Sequence, residues 1–77
     1  MTREELLRAA TPLLGRVVRL GVLRDSGQAE EGLVRVEGLP NDVSCRLLFT
    51  VVDPRTLESI SPMFAYTPDK IISLCAW

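Results

Sequence analysis

The chain has 77 residues, 47% hydrophobic and 25% charged, with nine basic and ten acidic side chains and no histidine. A chain of that length forms one domain, residues 1–77, whose core removes only roughly 60% of the unfolded surface from water, and its apolar content excludes a disordered chain. A net charge of −1 supplies no general positive field for nucleic acid or anionic lipid. The charged start is not that of a secretory signal, and no apolar run reaches the length of a membrane span, so a soluble cytoplasmic protein is expected.

Thr2-Arg3-Glu4-Glu5 is a capping box, in which the hydroxyl accepts from the Glu5 amide and the Glu5 carboxylate accepts from the Thr2 amide. It predicts a helix starting at Arg3. Leu6, Leu7, Ala10, Leu13 and Leu14 recur at the spacing of one apolar face. Pro12 and Gly15 predict an end near Leu14; Val17 and Leu20 extend the same stripe, which leaves a kinked helix to Leu20 as the alternative. From Arg16 to Arg24 the β-branched and apolar residues read as a strand. Asp25-Ser26-Gly27 is a turn, and Gly32 to Gly38 alternates with period two as the return strand of a hairpin.

Leu39 to Asp42 is the next turn. Val43 to Val52 predicts a central strand, apolar on both faces toward its end and therefore covered on both. Asp53 and Pro54 have the chemistry of a helix start, so Pro54 to Ser59 is expected to make one or two helical turns. Met63 to Tyr66 is a short strand, Thr67 to Lys70 a turn, and Ile71 to Trp77 the last strand. The fold class is α+β: an N-terminal helix followed by a four- to five-stranded antiparallel meander. The sheet either curls onto the helix or closes into a small barrel with the helix as a lid.

The barrel arrangement resembles the Sm-like and SH3-like small barrels, in the length and alternation of the opening hairpin from Gly15 to Gly38. That resemblance implies RNA binding through an arginine row on a ring-shaped oligomer.

Without histidine, Ser-His-Asp and Cys-His devices are absent, as is the commonest zinc ligand. A serine activated by Lys70, the sole lysine, would draw on Ser59, Ser61 or Ser73. Glu4 with Glu5, and Glu30 with Glu31, read as solvated surface. No calcium loop or phosphate loop is present, and the glycines fit turns and bulges. Catalytic, metal and cofactor residues are therefore expected to be none. Cys45 and Cys75 are expected to be buried free thiols, with a strand-bridging disulfide as the alternative.

Arg16, Arg24, Arg35, Arg46 and Arg55 punctuate the strands, either as cross-strand partners of Glu31, Glu37 and nearby acids or as a row for carboxylates and phosphates. Phe49 belongs to the core. Phe64, Tyr66 and Trp77 form either a satellite core or a partner patch. The expected function is that of a small non-enzymatic interaction module, self-associating, with Phe64, Tyr66, Trp77, Arg46 and Arg55 as partner-binding candidates. Its partner is another protein or a second copy, with no cofactor and no membrane. The alternatives are an Sm-like RNA-binding protein and a phage- or plasmid-type inhibitor or accessory subunit docking on a larger enzyme.

Overall fold

The computed structural model describes every residue from Met1 to Trp77. Helix α1 (Arg3–Ala10) begins where the capping box places it. Thr2 Oγ1 accepts from the Glu5 amide at 3.1 Å, and the Glu5 carboxylate accepts from the Thr2 amide at 3.0 Å. Pro12 then tightens the chain into one 3-10 turn, Thr11–Leu13, and Leu14 leaves helical space at ψ 130°. Helical geometry thus stops within a residue of the expected end, and the continuation to Leu20 does not form.

Five strands follow: β1 (Val17–Leu23), β2 (Ala29–Gly38), β3 (Leu47–Val51), β4 (Phe64–Tyr66) and β5 (Ile71–Ala76). The β1–β2 hairpin closes at Asp25-Ser26-Gly27, where Gly27 takes φ 89°, a conformation open to glycine at little cost. All pairings are antiparallel, and the order is β4-β3-β2-β1-β5. The first four strands form a meander. The fifth returns to the far side and pairs with β1, Val18 opposite Ala76 and Leu20 opposite Leu74. β4 and β5 do not pair, so the sheet is curled and open rather than closed into a barrel.

Two segments depart from the sequence expectations. Val43 to Arg46 lies outside β3 because the Asn41 side-chain oxygen accepts from the amides of Val43 and Ser44 at 2.9 and 2.7 Å. That local turn occupies amides a ladder would need, and Val43 is left 98% exposed. Pro54 to Ser59 is not helical. The Leu57 amide closes one turn on the Asp53 carbonyl, but Leu57 sits at φ 61° and the Asp53 amide takes the Glu58 carbonyl instead. Val52 and Ser59 then bridge as in a hairpin. The Arg35 guanidinium holds the loop by donating to the Leu57 carbonyl and to Ser59 Oγ. The expected turn at Thr67 to Lys70 is a single 3-10 turn, Pro68–Lys70.

The core lies on the concave face. Val18 and Leu20 of β1, Val34 and Val36 of β2, Leu47 and Phe49 of β3 and Ile71 of β5 close over Leu6 and Ala10 of α1, all at most 4% exposed. On the opposite face the loop Asp53–Ile60 folds back, with the Thr50 and Ser59 hydroxyls 2.8 Å apart. The N-terminal ammonium donates to the carbonyls of Pro68 and Ile71, both at 3.3 Å, which ties the start of α1 to the start of β5.

Leu6 is fully buried, so Leu6→Ala is expected to cost about 2–5 kcal/mol. At about 4–8 °C per kcal/mol for a domain of this size, a circular-dichroism melt should show a loss of about 8–40 °C. A second outcome concerns pH. The Thr2 amide and hydroxyl hold the Glu5 carboxyl below its ordinary value of 4.5, and the Thr67 hydroxyl does the same to Asp69 from 3.8. A lowered folded pKa means stability that is complete above the unfolded value and lost as pH falls through the folded one. The melting temperature should therefore decline on acidification below about pH 5, and Glu5→Gln should flatten part of that decline in melts recorded across the range.

Candidate functional site

On the concave face β2 presents Glu30, Gly32, Val34 and Val36 in alternation, opposite Val22, Leu20 and Val18 of β1. Gly32 interrupts this row. A Cβ placed there would meet nothing within 4 Å, and Gly32 lines a hollow of about 320 Å³. Leu20, Val22, Val34 and Val51 form its floor, and Phe49, Phe64 and Tyr66 its aromatic wall. The rings meet at centroid distances of 5.8 Å for Phe49–Phe64, 5.4 Å for Phe49–Tyr66 and 6.4 Å for Phe64–Tyr66, the last two edge to face. Such contacts fix the rings as a unit.

At the rim Arg24 donates to Glu30 Oε1 at 2.8 Å. The hydrogen bond and charge of Glu30 hold the guanidinium still more firmly protonated than usual. Beyond Tyr66 lies a second hollow, polar, of about 340 Å³, lined by Arg46, Lys70, Asp25, Thr67, Leu23 and Ala65. Lys70 Nζ is 3.4 Å from Asp25, and Arg46 enters no ion pair.

The structure thus brings together Phe64 and Tyr66, with Arg46 on the far side of Tyr66, and separates them from the other two candidates. Trp77 follows β5 at the opposite edge, 58% exposed. Arg55 is on the loop after β3, exposed, its amide bonded to the Asp53 carboxylate at 2.7 Å. The five arginines do not form a row. Arg24 pairs with Glu30, as Arg19 does with Glu31 at 3.5 Å, whereas Arg35 is spent on the loop.

Both cysteines are exposed and free, against the expectation of burial. Cys45 belongs to the segment that Asn41 holds off β3, and Cys75 lies on an edge strand. β1 and β2 stand between β3 and β5, so no bridge joins them. Lys70 faces Asp25, while Ser59 bonds Thr50 and Ser61 bonds the Val51 amide.

β5 leaves the other open feature. From Ile71 to Trp77 it has neither a charge nor a proline, and Ile72 is 52% exposed. No helix is long and apolar enough to cross a membrane. Compared with known proteins, the chain matches no protein family, no curated protein and no solved structure.

Gly32 in the lining of the hollow gives a direct test. Glycine inside a strand costs roughly 0.5–1 kcal/mol relative to alanine, and the space above it is empty, so Gly32→Val should raise the melting temperature. It should also reduce the fluorescence of a hydrophobic dye bound to the unaltered protein.

Proposed function

We propose that this chain is a small non-enzymatic interaction module that associates with copies of itself through the outer edge of β5. The observation that carries this reading is the edge itself. Beyond Ile71, whose carbonyl takes the N-terminal ammonium, the strand offers unpaired main-chain groups along residues 72–76 with none of the lysines or prolines that ordinarily blunt a sheet edge. Main-chain groups of one strand complement those of a second copy, and the exposed Ile72 and Trp77 side chains add apolar area to such a pairing.

The size of the chain supports the same reading. A core of this extent stabilises a fold only modestly, and burial against another copy adds to it by mass action. The lack of histidine and of paired carboxylates free of partners is in keeping with a role in binding rather than chemistry.

Light scattering at micromolar concentration should give a mass above the 8.5 kDa of one chain. Ile72→Lys places a charge on the exposed edge, and it should shift the protein to that monomer mass while leaving its circular dichroism unchanged. A strict monomer for the unaltered chain would overturn the reading.

A further inference from the structure

The geometry points to a mononucleotide site built around Tyr66, with a nucleobase in the apolar hollow and its phosphate in the polar one. Tyr66 lines both hollows. On the facing strand Arg24 lines the first, and its neighbours Leu23 and Asp25 line the second. The two spaces therefore share a border at Tyr66 and the Leu23–Asp25 segment.

Each has the chemistry of one half of a nucleotide. A cavity of about 150 Å³ accepts benzene, so 320 Å³ takes a base of one or two rings, with the faces of Phe64 and Tyr66 available for stacking. Of the charged residues that line this hollow, Arg24 is paired with Glu30, and Glu31 is paired with Arg19 outside it. The rim offers a donor beside an acceptor: Arg24 gives Glu30 one N–H at 2.8 Å and keeps others free, and the Glu30 carboxylate has lone pairs to spare. A base edge carries the matching acceptor and donor side by side; a plain aromatic or aliphatic ligand does not.

The polar hollow holds two cations and one carboxylate. Arg46 has no ionic partner, and Lys70 has only the exposed Asp25 at 3.4 Å, which a doubly charged phosphate displaces. A longer RNA strand would need further cations along its backbone. Arg24, Arg46 and Lys70 are the only cations that line the two hollows, which suits a single nucleotide.

The test is an amide-resolved NMR titration with adenosine and uridine monophosphate, each nucleoside alone, and inorganic phosphate alone. Saturable shifts are expected at Arg24, Gly32 and Tyr66 together with Arg46 and Lys70, and the nucleoside or phosphate alone should bind about tenfold more weakly. Gly32→Val, which puts a branched side chain into the first hollow, and Arg46→Glu, which reverses the charge of the second, should each weaken binding about tenfold with amide dispersion intact. The proposal fails if no saturable shift appears by millimolar nucleotide. It fails too if phosphate alone reproduces the shifts, if either variant binds as well as the unaltered chain, or if single-stranded RNA binds more tightly than the mononucleotide.

Discussion

Covering the sheet is the constraint from which the rest of the fold follows. At about 1.5 Å per residue, the eight residues of α1 extend about 12 Å, whereas five strands at about 4.8 Å spacing extend about 19 Å between the outer two. A flat sheet would leave much of its apolar face in water. Curling brings β1, β2, β3 and β5 around Leu6 and Ala10, and the tie from the N-terminal ammonium to Ile71 sets α1 toward the β5 side. What the helix cannot reach, between β1 and β4, is filled partly by aromatic rings and partly by nothing at all, with Gly32 of β2 in the lining.

Charges have been distributed with the same economy. Glu5 is taken up by the helix cap, Glu30 and Glu31 by arginines across the hairpin, Asp42 by Arg3 and Asp25 by Lys70. These pairs are exposed, and each contributes only about 0–1 kcal/mol. Their effect is on local charge: both carboxylates that line the apolar hollow are paired with arginines, and Arg46 keeps a guanidinium uncommitted beside Lys70. Arg35 differs from the rest, since its partners are a carbonyl and a hydroxyl and its work is to hold a loop closed.

Features decided by neighbours along the chain were legible in the sequence. The capping box, the stop after Pro12, the Asp25–Gly27 turn and the alternation of β2 depend on residues a few positions apart, and all appear in the structure. Pro54 to Ser59 misled because the helix signal at Asp53 was overruled by Arg35, remote in sequence, and by Leu57 in a left-handed conformation. Val43 misled because the Asn41 side chain competed for amides that β3 would have used. Exposure of Cys75 and Trp77 depends on β5 returning to the outside of β1, a pairing that no local pattern records. In the site, Phe64 and Tyr66 were visible as aromatics on one short strand. Gly32 was the signal missed, a glycine inside an otherwise regular alternation, which marks a gap in packing.

The return of β5 also bears on folding. β1 and β2 are joined by a tight turn and pair at low entropic cost, while Val18 pairs with Ala76, from the far end of the chain, across a much longer loop. Until that pairing is made, β1 is itself an edge, with the core residues Val18 and Leu20 beside unpaired main-chain groups. Local hairpins form sooner than distant pairings, and the β1–β5 pairing joins the two strands farthest apart in the chain. With β5 undocked, β1 would be the kind of uncovered edge that is open to mispairing and aggregation.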